Sequence, residues 1–246
     1  CSHPHQIAGF FLGHPVGHSL SGVMHEAALA SLGLAGDYAL LDTPADGLAE
    51  RAEALRRRQL DGLNVTVPHK EAVAAYCDRV VGVAASLGAV NTLVRASDGA
   101  VEGHNTDLPG LVAAVLARLP RVAVSGRPAA VVGAGGAARA AVLAAGLLGA
   151  SEVLVYNRTV ARAEALVDAL GAHSAAPLRV APTLVHALEG AALVLQATTV
   201  GMGVAVGSGA WRDLRDGVVP ALAGTAADAG LMDLVYRPAE TPWVSA

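Results

Sequence analysis

"AAVVGAGGAARAAVLAAGLLGASEVLVYNRT", residues 129–159, decides how the rest of the chain is read. A run of small and branched apolar residues stops at Gly133, a Gly-rich turn follows, and an Ala-rich stretch leads to a second apolar run at 153–156. Strand, tight turn, helix and strand within about thirty residues make a βαβ unit. Gly133, Gly135 and Ala138 stand in a G-x-G-x-x-A spacing across the turn. The first glycine permits the sharp turn, and the second lets a pyrophosphate reach backbone N–H groups at the helix N-terminus. The small third residue lets helix and strand pack closely. The stretch is therefore predicted to bind a dinucleotide.

The end of the second strand separates NAD from NADP. An acidic residue there, about twenty residues past the glycines, takes the ribose 2′-hydroxyl of NAD. This chain has Asn157, Arg158 and Thr159 instead, with Arg162 one helical turn further. Two guanidinium groups and a hydroxyl suit a 2′-phosphate, and cations at a helix start oppose its dipole unless an anion compensates. NADP is the expected cofactor.

Working outward, "LVLQAT" and "GLMDLVY" read as later strands of the same parallel sheet, with "GMGVAVGSGA" a loop between them. On the other side, a helix at about 108–119 is followed by "PRVAVSGRP", whose Pro and Gly content marks a boundary. Further upstream, strands ("IAGFF", "DYALLD", "DGLNVTV") alternate with helical patterns ("SGVMHEAALASLG", "ADGLAERAEALRRR", "KEAVAAYC", "VVGVAASLG"), and "AVNTLVR" with "GAVEGH" suggests a hairpin. The fold class is α/β with two domains: an N-terminal α/β substrate domain and a C-terminal Rossmann-type dinucleotide-binding domain, with a cleft between them. The expected boundaries are 1–107, a linking helix and loop at 108–127, and 128–246.

Within the first block, "DGLNVTVPHK" (61–70) carries unusual polarity for a strand. The period of two sets Asn64 and Thr66 on one side and Val65 and Val67 on the other, and Pro68 stops pairing just before Lys70. Ser19, Ser21, Asn64, Thr66, Lys70, Asn91 and Asp107 all fall at strand ends or loop starts, where α/β folds place ligand contacts. Each has a structural alternative: Ser19 or Ser21 capping the next helix, Asn91 and Thr92 satisfying strand ends, Asp107 capping the helix at 108. Beside a dinucleotide module they suggest a small, hydroxyl-rich, anionic substrate.

Composition removes other classes. The chain has 17 Lys plus Arg against 21 Asp plus Glu, a formal charge of -4, so no basic field points to nucleic acid. "RRR" at 56–58 reads as the solvated end of a helix. Hydrophobic residues reach 53% and mean hydropathy +0.47, but Ala and Gly supply much of this and no apolar run reaches membrane length. Cys1 and Cys77 lack metal or redox spacing, which fits a reducing cytoplasm, and nothing resembles a signal peptide. Position 1 is not Met, so the start is expected to be processed, cut or not included. His25 and Glu26 would need a His at 29 for a zinc-protease motif, but Leu29 stands there, and His14 and His18 flank a Pro-Val-Gly turn, so no metal is expected. With aromatics at 3% no hydrophobic interface can be named, and a monomer or homodimer is expected.

These motifs, in this order, resemble the shikimate dehydrogenase family. "GHPVGHSLSGVMHE" from Gly13 matches the family's opening pattern except that Gly22 replaces Pro and Glu26 replaces Asn, and "NVTVPHK", "GAVNT", "GHNTD", "GAGGAARA", "NRT" and "DLVYRPAETP" match later ones. The resemblance spans residues 9–243. It implies reversible reduction of 3-dehydroshikimate to shikimate by NADPH in aromatic biosynthesis. It also implies that Ser19 and Ser21, with Tyr236, hold the substrate carboxylate, that Asn64, Thr66 and Asn91 bind its hydroxyls, and that Lys70 and Asp107 form the catalytic pair. On the cofactor side it implies Gly133, Ala134, Gly135, Gly136 and Ala137 of the turn, then Asn157, Arg158, Thr159 and Arg162, and Leu234. Gln196 stands where the family usually has Asn before "xTxxGM". Family members usually continue past "TPL" into a "GxxMLxxQ" helix, whereas this sequence stops at Ala246; a C-terminal return segment that is absent or not included is the expectation. The same scaffold leaves two alternatives, a quinate or aminoshikimate dehydrogenase and an NADP-binding regulator without turnover.

Overall fold

The computed structural model of the chain describes residues 7–17 and 19–246. It divides into two compact units, with the boundary between Thr106 and Asp107. His18 and Cys1 lie outside the described residues.

The first unit is built on a six-stranded mixed sheet. Its strands are β1 (Ile7–Gly13), β2 (Gly36–Asp42), β3 (Gly62–Val65), β4 (Arg79–Val80), β5 (Thr92–Arg95) and β6 (Val101–His104). They lie in the order β2-β1-β3-β5-β6-β4. β1 pairs in parallel with β2 and β3, while β5 pairs antiparallel with β3 and β6, the hairpin read in the sequence. Alternation sorts the faces: Leu63 and Val65 of β3 are buried while Gly62 and Asn64 are only partly so. Leu63, Val65, Leu93 and Val101 join Leu48 and Leu55 of α2 (Leu48–Arg56) in one core. α1 (Ser21–Ser31) buries no residue completely, and α3 (Val83–Leu87) buries Ala84 and Leu87.

Two expectations for this unit change. β3 ends at Val65, and Val67 is half exposed rather than in the core. After Val65 the chain leaves the ladder with β5, and its remaining backbone bonds go to the end of β1: Thr66 donates to Leu12 and Val67 accepts from His14. "KEAVAAYC" forms a 3-10 turn at Ala72–Tyr76 rather than an α-helix. "RRR" ends α2 as read: Arg57 and Arg58 are exposed, and at that surface Arg56 pairs with Asp78 (2.9 Å) and Arg57 with Glu53 (2.8 Å).

The second unit holds α4 (Asp107–Leu116) and a five-stranded sheet of β7 (Ala129–Val132), β8 (Val153–Tyr156), β9 (Leu178–Val180), β10 (Leu193–Gln196) and β11 (Gly230–Asp233). The order is β11-β10-β7-β8-β9 and every pair is parallel. β7 and β10 are buried at all positions, as expected of a parallel sheet covered on both faces. Helices α5 (Gly136–Leu147), α6 (Val160–Leu170), α7 (Leu184–Leu188) and α8 (Gly209–Leu222) supply the connections. α5 buries eight residues, all of them Ala, Val, Leu or Gly, which is the use of the Ala-rich composition: small side chains let helix and sheet approach. No helix among the described residues is long and apolar enough to cross a membrane.

Candidate active site

In the second unit the chain order reverses between β7 and β10, and the Gly-rich turn follows β7 at that switch point. Gly133 has φ +122, and a Cβ there would lie 3.0 Å from the backbone of Ala197 and 3.1 Å from Thr198, so glycine is required by both conformation and space. Its N–H donates to the Tyr156 carbonyl (2.7 Å), tying the turn to β8. Gly135 is exposed, and a Cβ built on it meets nothing within 4 Å. It is the N-cap of α5 and brings no side chain to the helix end, leaving the first-turn N–H groups of Gly136 and Ala137 for an anion. Ala138 is completely buried beneath them, the close packing the third motif position predicts.

At the end of β8, the Asn157 side chain donates to the Thr159 carbonyl (2.9 Å), shaping the turn into α6. Thr159 is the N-cap of α6, and its hydroxyl makes no capping bond. Arg158 and Arg162 are exposed, and no carboxylate among the described residues forms an ion pair with either. A hydroxyl, two guanidinium groups and a helix N-terminus fit a 2′-phosphate.

The fourth strand of this unit carries a buried polar junction that the sequence reading did not foresee. Gln196, completely buried, donates to Asp233 (3.3 Å) and to the Val200 carbonyl (3.3 Å) and accepts from the Thr198 N–H. Asp233 also accepts from the Thr241 hydroxyl (2.6 Å) and the Val235 N–H (2.9 Å). Burial raises the Asp233 carboxyl above the usual range, and the two hydrogen bonds work against that shift. The junction fixes the chain on both sides of partly buried Leu234 and exposed Tyr236.

In the first unit, Asn64 and Asn91 belong to one hydrogen-bond network. Tyr38 donates to Asn64 Oδ1 (2.6 Å), Asn64 Nδ2 donates to Thr92 Oγ1 (3.1 Å), and Thr92 donates to Asn91 Oδ1 (3.0 Å). Thr106 closes it, its N–H donating to Asn91 Oδ1 (2.9 Å) and its Oγ1 accepting from Asn91 Nδ2 (2.9 Å). Asn91 is also held through its backbone, donating to His104 (3.0 Å) and accepting from Val65 (2.7 Å). Ser19 and Ser21 are paired: Ser19 donates to Ser21 Oγ (3.0 Å) and accepts from the Ser21 N–H (3.1 Å) at the start of α1. The helix N-cap itself is Leu20, so neither serine is a standard cap.

Thr66 packs its methyl against Gly13, where a Cβ would come within 2.4 Å of it. The stretch to Lys70 is pinned by His69, a buried imidazole whose Nε2 meets the Thr43 carbonyl (2.8 Å), and by the Val90 N–H, which donates to the Lys70 carbonyl (2.7 Å). His69 was quoted in the motif without a role; its burial shows that it anchors the turn carrying Lys70. Asp107, half-buried, opens α4 directly after Thr106. His14 pairs with Asp42 (2.8 Å), and no cluster of metal-ligating side chains occurs among the described residues.

A parallel sheet with a Gly-rich turn at its switch point, joined to an α/β unit with a polar side-chain network, defines a two-domain oxidoreductase of the nicotinamide-dinucleotide class. Comparison with known proteins narrows this. Residues 11–93 match the shikimate dehydrogenase substrate binding domain, and residues 116–204 match the shikimate / quinate 5-dehydrogenase family. Shikimate dehydrogenase (NADP(+)) of Caulobacter vibrioides is 38% identical over 238 residues, 97% of this chain and 79% of that protein. Shikimate 5-dehydrogenase from Thermus thermophilus, solved with NADP(H) and shikimate, superposes with a TM-score of 0.79 at 39% identity, covering 98% of this chain and 83% of that one. Quinate dehydrogenase from Corynebacterium glutamicum, solved with NAD, gives 0.80 at 29% identity over 98% and 84%. The chain belongs to the shikimate dehydrogenase family.

Proposed function

We propose that the chain catalyses the reversible, NADP-dependent reduction of 3-dehydroshikimate to shikimate, with residues 1–107 holding the substrate, 108–127 connecting, and 128–246 holding the cofactor. The observation that carries this reading is the network joining Asn64, Thr92, Asn91 and Thr106: amides and hydroxyls set at strand ends, the chemistry that a polyol requires. In this reading Asn64 and Asn91 of the network, together with Thr66, bind the substrate hydroxyls. Ser19 and Ser21, already oriented by their mutual bond, take the carboxylate with Tyr236.

Gly133, Ala134, Gly135, Gly136, Ala137 and Leu234 would hold NADP, with Asn157, Arg158, Thr159 and Arg162 toward its 2′-phosphate; when bound, its reduced form would supply the hydride and its oxidised form would accept it in the reverse direction. The protein's share is the proton and the charge. When the ketone is reduced, negative charge grows on its oxygen, and the Lys70 ammonium donates first a hydrogen bond and then its proton to that oxygen. In the oxidative direction the neutral Lys70 amine takes the hydroxyl proton. Asp107 is the carboxylate partner that orients Lys70 and balances its charge. His69 holds the Lys70 backbone still while this happens, so positioning costs little at the moment of reaction.

The test is absorbance at the reduced-nicotinamide band with purified protein in four mixtures, shikimate or quinate with NADP or NAD. A rise with shikimate and NADP well above the other three is the expected result. Turnover of quinate with NAD instead overturns the substrate and cofactor assignment. Silence in all four from a folded protein that binds NADP points to a binding role.

A further inference from the structure

We infer that Tyr38 and Thr92 are positioning residues for substrate recognition, acting through a directional hydrogen-bond relay that orients the side-chain amides of Asn64 and Asn91; this rests on the functional reading above. None of the family motifs read in the sequence contains Tyr38, and Thr92, the last residue of "GAVNT", was given no role there beyond a strand end.

The direction of the relay follows from which groups can donate. Tyr38 is hemmed in by the His25 ring, stacked on it at 3.9 Å between centroids and 5° between planes. Burial pushes its phenol well above the ordinary tyrosine range, so the O–H stays protonated and donates. The far end fixes the direction, because the Thr106 backbone N–H can only donate and so holds Asn91 Oδ1. Thr92 then gives that oxygen its hydrogen and accepts from Asn64 Nδ2, which leaves Asn64 Oδ1 to accept from Tyr38, 2.6 Å away. The Thr92 hydroxyl, accepting from Asn64 and donating its single hydrogen to Asn91, thus links the two amides. An amide side chain is nearly symmetrical in shape, so without such partners it can present either its oxygen or its nitrogen to a ligand. The relay removes that freedom from both asparagines before substrate arrives. It crosses β2, β3 and β5: Asn64 is opposite Thr92, Thr92 follows Asn91 directly in the chain, and β1, lying between β2 and β3, aligns Gly9 with both Tyr38 and Gly62. Gly9 is part of the device, because a Cβ there would lie 2.8 Å from the Tyr38 ring.

Thr92→Val keeps the shape of the side chain and deletes the hydroxyl, and Tyr38→Phe deletes only the phenol oxygen. Each is expected to raise KM for shikimate about tenfold, the scale of one hydrogen bond lost from a network, while KM for NADP stays within about twofold. Thr92→Ser, which retains the hydroxyl, is expected to restore KM for shikimate. The double variant should cost less than the product of the two single changes, because the links are in series. Thr92→Val and Tyr38→Phe both leaving KM for shikimate within about twofold of the parent overturns the relay. A readout independent of turnover is the side-chain amide resonance of Asn91 in the ¹⁵N–¹H spectrum: Tyr38→Phe should shift it as well as that of Asn64, and a shift confined to Asn64 also overturns the proposal. An unmutated chain that does not oxidise shikimate contradicts the functional reading itself, and the amide resonances then still decide the relay.

Discussion

The two sheets of this chain are built on different principles, and they present their chemistry differently. The second sheet is parallel and buried at nearly every position of its strands β7, β8 and β10, so these strands offer a ligand little side-chain surface. At the glycine turn its candidate binding groups are backbone, a helix N-terminus without a side-chain cap, and side chains such as Arg158 and Arg162 enter only beyond the strand ends. The first sheet is mixed and alternates, with Leu63 and Val65 inward and Asn64 on the other face. Its binding features are side chains that hold one another. Binding at the glycine turn is therefore expected to respond to an added Cβ, and substrate recognition to the loss of one polar atom.

The largest effect should come from the side-chain region. Lys70→Ala is expected to lower kcat by about 10²- to 10⁴-fold, the usual span of general acid–base catalysis, with NADP affinity retained in a binding titration. An unchanged kcat removes Lys70 from the mechanism. Next come two glycines that should behave differently. Gly133→Ala forces a side chain into a left-handed backbone against Ala197 and should destabilise by about 1–3 kcal/mol in denaturant melts. Gly135→Ala has open space and φ -99, so melting should change little while KM for NADP rises. Equal melting losses in both variants break the distinction between a structural and a ligand-facing glycine.

Arg158→Ala should raise KM for NADP by about tenfold and leave KM for NAD nearly unchanged, because the lost partner is the 2′-phosphate. Equal effects on both sink that assignment. Ser208→Ala removes the hydroxyl that caps α8 through the Trp211 N–H (3.1 Å) and should cost about 1 kcal/mol of stability with no kinetic change. The smallest effect concerns the surface. The Arg79 guanidinium holds the Asp98 carboxyl down at about 2. Because this pKa lies below its unfolded value, the pair's contribution is present above the ordinary carboxylate range and is lost as pH falls toward 2. NMR titration of Asp98 checks the value, and high salt should weaken an exposed pair of this kind.

Much of the second unit was legible because its signals are local. Residues 129–159 spell strand, turn and helix in order, and the glycine positions follow from sterics. Short elements were not legible: β4 has two residues and β9 three, too few to show a period, and α8 begins inside a Gly- and Ser-rich stretch. In the first unit the polar residues could be seen but not their partners. Tyr38 and Asn64 are 26 positions apart, and Thr92 a further 28, so only strand register brings them together. Val67 was misplaced because a period of two carries no information about where pairing stops. Gln196 was visible as an oddity, but its bonds to Asp233 and Val200 depend on the loop after β10.

The division of labour between backbone and side chains is tested most directly by calorimetric titration of NADP and of shikimate into Asn91→Ala. The account predicts an NADP Kd within about twofold of the parent protein and shikimate weakened by about tenfold or more. Unchanged shikimate affinity, or a loss shared equally by both ligands, contradicts it.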